Sequence, residues 1–206
     1  LWVTREHYLH SAQVETGNLA RVLEAQTATA IDGVDAILTG FTTIWAQIPA
    51  AKRPGPSELQ RLLRSRVLAN EYIRSIYILD ARGDIVHDSE ALTPRPFSFA
   101  DREYFSTHLG GERGLYVSGM MLGRLTGRWG MVLSRRLNDV DGRFAGVIVA
   151  AIEPDGLRRA FLGLDTGRDG LINLRHRDGR MIIRVPHIEA SIGQPLPALP
   201  VTFVRQ

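Results

Sequence analysis

The sequence contains no cysteine, which excludes disulfide bonds, thiolate metal sites and a cysteine nucleophile. It has no run of about 18 apolar residues, so no segment of it is expected to span a bilayer, and it shows no signal peptide. The P-loop, the G-x-S-x-G elbow, the H-E-x-x-H zinc motif and the EF-hand loop are also missing. We therefore expect a binding or interaction domain rather than an enzyme, without catalytic residues, cofactor or metal.

Lysine is almost absent from this basic chain. Of the 25 basic residues only Lys52 is a lysine, and the formal net charge is +3. A basic chain raises the question of nucleic-acid binding. The arginines are scattered among 22 acidic residues and form no nucleic-acid-binding motif. We therefore expect no nucleic acid partner, and we attribute the replacement of lysine by arginine to compositional bias.

A long N-terminal helix is predicted over residues 3 to about 48, a stretch that contains no proline. Apolar residues recur in its second half at alternating spacings of three and four, at Ile31, Val34, Leu38, Phe41, Trp45 and Ile48. This spacing is a heptad pattern and predicts packing of the helix on the chain's own sheet.

The same helix would be longer than a small domain. At 1.5 Å per residue it would span about 65 to 70 Å. Its N-terminal half is therefore expected to protrude or to pair with a second copy, which predicts a weak homodimer. A second helix is predicted over residues 57 to 71, where Ser57 to Gln60 have the spacing of a capping box.

The sequence pattern in the rest of the chain predicts antiparallel sheets. Residues 75–88 and 171–184 each read as a hairpin, and a shift of 96 residues superimposes their patterns. Between them, residues 129–133 alternate as a strand, and residues 144–152 form a continuous apolar run typical of a buried strand. Asp141-Gly142 supplies turn chemistry between these two strands.

These elements predict an α+β fold with a long N-terminal helix followed by tandem PAS-like antiparallel sheets. We predict helices in residues 1–71, a first PAS-like unit in 72–155 and a second in 156–206. A short helix at 157–162 would connect the two units. The second unit is expected to be incomplete, because prolines interrupt the chain at Pro186, Pro195, Pro197 and Pro200.

The candidate binding residues lie between the predicted strands, in Asp101-Arg-Glu-Tyr-Phe105. The guanidinium of Arg102 can bind a carboxylate through two parallel hydrogen bonds, and the hydroxyl of Tyr104 can add a third. From residue types alone, Arg102 could equally be a structural ion-pair partner and Tyr104 a core aromatic.

The Arg-x-aromatic-aromatic element and the two strands after it resemble the ligand-binding half of a double-CACHE (PDC) sensor domain. The order of elements is similar over nearly the whole chain. The resemblance implies the extracytoplasmic, periplasmic part of a bacterial membrane receptor, with its ligand in the membrane-distal unit. The output domain would be a histidine kinase, a diguanylate cyclase or a chemotaxis transducer. The chain starts at Leu1 without methionine, and we expect a membrane anchor outside it.

The resemblance also implies a ligand class. Amino-acid-binding members have an arginine followed, after one residue, by tryptophan-tyrosine, then a distal tyrosine and an aspartate that holds the ligand's amine. Here Arg102 matches the arginine, and Tyr104 and Phe105 stand in place of tryptophan-tyrosine. The distal tyrosine falls near Met120 or Met121, and the aspartate falls near Ala151. With the carboxylate anchor kept and the amine anchor lost, the expected ligand is a small anion, a carboxylate without an ammonium group.

Other residues are predicted to line the same pocket. Met120 and Met121 would supply adaptable apolar surface, Trp129 a wall, and Arg124 or Arg128 positive charge. The alternative function is a structural or protein-interaction module with a vestigial pocket.

Overall fold

The computed structural model describes residues 2–111, 113–164 and 170–195. The helices are α1 (Trp2–Gln47), α2 (Pro56–Leu68), α3 (Glu103–Ser106) and α4 (Pro154–Leu162), with short 3-10 turns at Ala50–Lys52 and Glu189–Ser191. The strands are β1 (Ile73–Leu79), β2 (Ile85–Asp88), β3 (Tyr116–Val117), β4 (Met121–Leu122), β5 (Trp129–Asn138), β6 (Phe144–Ile152), β7 (Ile172–Arg175) and β8 (Met181–Val185). None of the helices within these ranges is both long and apolar enough to span a membrane.

The main sheet is antiparallel and six-stranded, in the order β2-β1-β6-β5-β3, with β4 also paired to β5. Its centre is the predicted hairpin of β5 and β6, in which Met131 pairs with Ile152. The turn forms as its sequence indicates. Gly142 has φ +76°, and the Asp139 carboxylate accepts hydrogen bonds of 2.9 Å from the backbone N–H groups of Asp141 and Arg143.

The C-terminal half of α1 packs on one face of this sheet. Val34 and Leu38 are almost fully buried there, and Trp45 is 8% exposed, as the heptad pattern predicts. An ion pair reinforces the contact: Nε and Nη2 of Arg135 on β5 lie 2.5 and 2.8 Å from the carboxylate oxygens of Asp35 on α1.

The N-terminal half of α1 makes little contact with the sheet. Among the helix residues whose burial is described, Ala30 is the first that is buried, and Leu23 is only partly covered. Before that point, Val14 and Val22 are 49% and 45% exposed. The helix is therefore longer than the domain that it packs against, as its length predicts.

Helix α2 corrects one detail of the sequence analysis. It begins at Pro56 with Gly55 as N-cap, and no side chain caps it, so the predicted capping box at Ser57 is wrong. Proline at the first helical position needs no N–H partner and has a helical φ already. The helix still buries Leu59 and Leu63.

The second PAS-like unit is represented by α4 and the two-stranded sheet of β7 and β8. The predicted hairpin is confirmed, with Ile172 paired to Val185. The main sheet and this small sheet agree with the predicted α+β class. Pro197, Pro200 and the predicted end of the unit at residue 206 lie outside the described residues.

The main sheet separates two apolar clusters. The larger one lies between the sheet, α1 and the second unit, and it includes Met131, Leu133 and Met120. The smaller one covers the opposite face and includes Tyr104 and Val132. Residues alternate between the clusters along β5 because successive side chains of a strand point to opposite faces.

Truncating Leu38 to alanine should destabilise the domain, because its side chain is fully buried between α1 and the sheet. We expect Leu38→Ala to lower the free energy of unfolding by about 2 to 5 kcal/mol, measured by urea denaturation. The matched control is Ile44→Ala on the same helix, where the side chain is 60% exposed and the expected change is within about 0.5 kcal/mol. Equal losses in both variants would contradict the described packing of α1.

Candidate ligand-binding site

A partly open cavity of about 50 Å³ lies at one end of the main sheet, on the side of the smaller cluster. Its floor is formed by β1, β5 and β6, and its walls by the start of α3 and the segment 121–128. The lining residues are Arg74, Ser75, Tyr77, Phe99, Arg102, Tyr104, Met121, Leu122, Gly123, Arg124, Leu125, Thr126, Arg128, Gly130, Met131, Val132 and Ala151. This volume fits a few water molecules or one small organic ion.

Positive charge dominates the cavity. Of the residues that the structure describes, four arginines line it, and no aspartate or glutamate does. Ala151 on β6, near which the resemblance would place the acid of an amine anchor, is a lining residue and is 4% exposed. The cavity is therefore built to attract an anion and has no carboxylate for an ammonium group.

Two of the four arginines are neutralised by nearby carboxylates. Arg124 makes a two-pronged ion pair with Asp101 at 2.7 and 3.0 Å and also donates to the Ser98 carbonyl oxygen. The bond lowers the pKa of Asp101 and raises the pKa of Arg124. Nη2 of Arg128 lies 2.8 Å from Oε1 of Glu153, close enough for an ion pair although misaligned as a hydrogen bond.

The other two arginines, Arg74 and Arg102, have no carboxylate within ion-pair distance among the described residues. Nη1 of Arg74 and Nε of Arg102 are both buried and hydrogen-bond to no described residue. Leaving a buried donor unbonded typically costs about 1 to 3 kcal/mol, and more for a charged group. A hydrogen-bond acceptor on a ligand would therefore stabilise the complex most by bonding to these two nitrogen atoms.

The backbone around α3 holds Arg102 in place. Arg102 is the N-cap of the helix, with an extended backbone. Its N–H donates to the Phe99 carbonyl oxygen at 3.0 Å, and its own carbonyl accepts from the N–H groups of Phe105 and Ser106 at 2.9 and 3.0 Å. These bonds fix the point from which the guanidinium reaches the cavity.

Tyr104 supplies a hydroxyl donor. Tyr77 donates a hydrogen bond of 3.4 Å to the Tyr104 hydroxyl, and the ring of Phe99 packs against both tyrosines. Burial raises the pKa of both hydroxyls, so both keep their protons at neutral pH. No described residue accepts the Tyr104 proton, which is therefore available to a ligand oxygen.

A buried polar pair supports α3 from behind. The Ser134 hydroxyl on β5 donates to the Tyr104 carbonyl oxygen at 2.9 Å and lies 3.0 Å from Nε2 of His108. Because a hydroxyl has one proton to give, His108 must be the donor in the second bond. Ser134 and His108 are both fully buried, so this connection ties the ligand-facing element to the central strand.

The structure brings half of the predicted site residues to the cavity. Arg102, Tyr104 and Met121 line it, together with Arg124 and Arg128, which were expected to add charge. The guanidinium of Arg124 lies over the ring of Phe99, 5.5 Å from its centre.

The other three predicted residues point elsewhere. Phe105 is buried in the core beneath α3, with its ring edge-on to Phe144 at 5.8 Å. Met120 belongs to the cluster on the α1 side, because adjacent residues of an extended segment point to opposite sides. Trp129 is 42% exposed, and its ring lies against Gly193 of the second unit.

Sequence reasoning missed Arg74. Its guanidinium lies beside Gly123 and Gly130, where an added Cβ would come within 3.8 Å of it. The signal was present, since Arg74 is the only charged residue in the apolar strand Ile73–Leu79. Its location near Arg102 depends on strand pairing, which the sequence alone does not give.

Stability should fall above pH 10, the ordinary pKa of tyrosine. Burial raises the pKa of Tyr77 in the folded domain, so the unfolded chain loses the phenol proton at a lower pH than the folded chain does. The free energy of unfolding therefore decreases as the pH rises from the unfolded-state pKa towards the folded-state pKa. We expect the free energy of unfolding of Tyr77→Phe to fall less steeply above pH 10 than that of the parent, by up to about 1.4 kcal/mol per pH unit. Urea denaturation from pH 8 to pH 11 measures both, and parallel curves would show that Tyr77 ionises normally.

Comparisons with known proteins agree with the predicted family and fold. Residues 5–197 match the family model described as Cache domain. The extracellular domain of rpHK1S-Z16, a protein assigned as a histidine kinase, is 31% identical, with a TM-score of 0.80 over 90% of this chain and 75% of that one. No curated protein matches the chain.

Two more distant structures share the fold. The ligand-binding domain of the Pseudomonas aeruginosa PAO1 amino acid chemoreceptor PctC, in complex with GABA, is 16% identical with a TM-score of 0.66, over 87% of this chain and 78% of that one. The sensor domain of the V. cholerae histidine kinase DctB is 15% identical with a TM-score of 0.66, over 94% and 73%. Because the family model covers nearly the whole chain, and the sequence predicted the same architecture, this chain belongs to the Cache domain family.

Proposed function

We propose that this domain is the extracytoplasmic, periplasmic sensor of a transmembrane signalling protein, and that it binds a small carboxylate anion. The observation that carries the proposal is a cavity that, among the described residues, is lined by four arginines and no acidic residue, and in which two of the arginines have no described carboxylate partner. The output domain would be a histidine kinase or a diguanylate cyclase. The first unit, residues 72–155, would be the membrane-distal binding unit, and residues 156–206 the membrane-proximal one.

The absence of an acid in the cavity lining argues against an α-amino acid ligand. The ammonium group of such a ligand needs a carboxylate or several carbonyl acceptors. Ala151, on the cavity floor, has no group that could supply such an acceptor, and the two arginines without a described carboxylate partner would repel a cation. PctC was crystallised with GABA, which carries an ammonium group. The ligand proposed here carries none.

Binding would be communicated to α1 through β5. Val132 faces the cavity, Ser134 bonds to the Tyr104 carbonyl, and Arg135 pairs with Asp35 on the opposite face of the sheet. These three residues lie within four consecutive positions of one strand. A ligand can shift the packing of α1 only if it binds two arrangements of this strand with different affinity.

Arg102 should be essential for carboxylate binding. Losing one partner of a buried, hydrogen-bonded charge pair costs roughly 2 to 5 kcal/mol, or about 30- to 4000-fold in affinity. We expect Arg102→Ala to lose binding of a carboxylate found by a thermal-shift screen of organic acids, amino acids and purines. Tyr104→Phe should lose less, because only one hydroxyl bond disappears.

Isothermal titration calorimetry gives the affinities. The matched control is Arg82→Ala, whose side chain is 80% exposed in the β1–β2 turn and should bind like the parent. Parent-like binding by Arg102→Ala would move the site elsewhere. A screen in which no small molecule binds would favour the alternative function, an interaction module with a vestigial pocket.

The N-terminal half of α1 should mediate weak self-association. Val14 and Val22 are exposed apolar residues on the part of the helix that the rest of the domain does not cover. We expect the parent to dimerise weakly in sedimentation velocity experiments at high concentration, and Val14→Lys combined with Val22→Lys to be monomeric. Ile44→Lys, an exposed change on the covered half, is the control. A parent that stays monomeric at millimolar concentration would exclude the dimer.

A further inference from the structure

We infer that the cavity recognises a ligand with two separate anionic groups, in the simplest case a short dicarboxylate, and that Arg74 holds the second group. This inference rests on the proposed function, because it names the class of anion that the same cavity takes. It starts from a count of charges. Arg124 and Arg128 are matched by Asp101 and Glu153, and no described carboxylate compensates the guanidinium groups of Arg74 and Arg102.

The surroundings of Arg74 make room for its guanidinium. Arg74 leaves β1 next to Gly130 of β5 and Gly123 of the segment after β4. Gly130 has little space for a side chain, since an added Cβ would lie 3.1 Å from the Ile152 carbonyl oxygen. Gly123 is fixed by a hydrogen bond of 2.9 Å from its N–H to the Arg128 carbonyl oxygen. The guanidinium of Arg74 thus lies against the cavity wall beside two glycines, which leave space for it because they have no side chain.

A carboxylate that pairs with only one of these arginines would leave the charge of the other unmatched. Arg102 and Arg74 lie on different elements of the cavity wall, α3 and β1, and each has a buried nitrogen that bonds to no described residue. Burying a charge is costly unless it is paired and hydrogen-bonded. A dianion with one anionic group at each arginine would satisfy both, whereas a monoanion would satisfy only one.

The rest of the lining fits the connecting chain of such a ligand. Met121, Val132 and Phe99 add apolar surface to the same cavity, which suits a few methylene groups. The Tyr104 hydroxyl can add a bond to the carboxylate at Arg102. Two separate guanidinium groups match two separate carboxylates better than one compact dianion such as sulfate.

The test is isothermal titration calorimetry with a series of dicarboxylates from malonate to adipate. Each is compared with the monocarboxylate in which a methyl group replaces the second carboxylate, and with the ω-amino acid in which an ammonium group does. Sulfate is the single-centre dianion. We expect the best dicarboxylate to bind at least about tenfold more tightly than each of these three, the difference expected from one lost charge-assisted contact.

Substitution of Arg74 should remove the preference for dicarboxylates over monocarboxylates and leave monocarboxylate binding nearly unchanged. Arg74→Met keeps an unbranched side chain without the charge. It should bring dicarboxylate affinity down to that of the matched monocarboxylate, while monocarboxylate affinity stays within about threefold. Arg82→Met, in the exposed turn, should change neither. If Arg74→Met does not fold, the selectivity of the parent still decides whether the cavity recognises two anionic groups, and the response of the Arg74 Nε–H resonance to the ligand decides the role of Arg74.

Each outcome counts for or against a defined statement. Equal binding of dicarboxylates and monocarboxylates, lost in Arg102→Ala, would overturn the dianion and leave the proposed carboxylate sensor intact. Binding of sulfate as tight as the best dicarboxylate would overturn the two-point contact. Equal losses for both ligand classes in Arg74→Met would show that Arg74 is structural. Failure of every anion to bind would overturn both proposals.

Discussion

The antiparallel pairing of β5 with β6 is the constraint on which the rest of the domain depends. Their register runs from Met131 opposite Ile152 to Asn138 opposite Phe144, and β6 is buried on both faces over most of its length. Strand geometry then sends alternate residues to opposite sides. One side of β5 meets the long helix, and the other forms the floor of the cavity. A change at the cavity can therefore reach α1 through a single strand.

Charge is the basis of the selectivity that we propose for the cavity. A site with four arginines would be expensive to assemble if all four lacked partners. Asp101 and Glu153 reduce that cost by neutralising Arg124 and Arg128 at the outer wall. Among the described residues, the two cavity arginines without carboxylate partners are also those with buried, unbonded nitrogens. The proposed ligand class follows from that distribution, together with an alanine at position 151, near which the resemblance would place an acid.

Local sequence signals predicted most of the fold. The heptad spacing located the buried face of α1, and Asp141-Gly142 located the central turn, because both are set by residues close together in the chain. The short strands β3 and β4 escaped prediction, since two residues carry no periodicity and their pairing with β5 is a long-range contact. The capping box predicted at Ser57 was wrong because Pro56, the residue before it, already starts the helix.

The site was only partly predictable for the same reason. Arg102 and Tyr104 share one compact motif and could be found together, whereas Phe105, adjacent to Tyr104, turned out to be core. Met120 and Met121 could not be separated without knowing which face of the segment meets the sheet. Arg74 lies 28 positions before Arg102 in the sequence and joins the cavity only through the strand order.

The central claim is that ligand carboxylates contact Arg102 and Arg74, and arginine side-chain NMR tests it without altering the protein. Nε–H resonances of the ¹⁵N-labelled domain, assigned by single substitutions, would be followed as the tightest-binding carboxylate from the calorimetric series is added. We expect the Nε–H signals of Arg102 and Arg74 to shift and to exchange more slowly with water, as donors do when they gain a carboxylate partner. The exposed Arg82 should not respond. A bound ligand that leaves Arg102 and Arg74 unchanged while other arginines respond would contradict the claim.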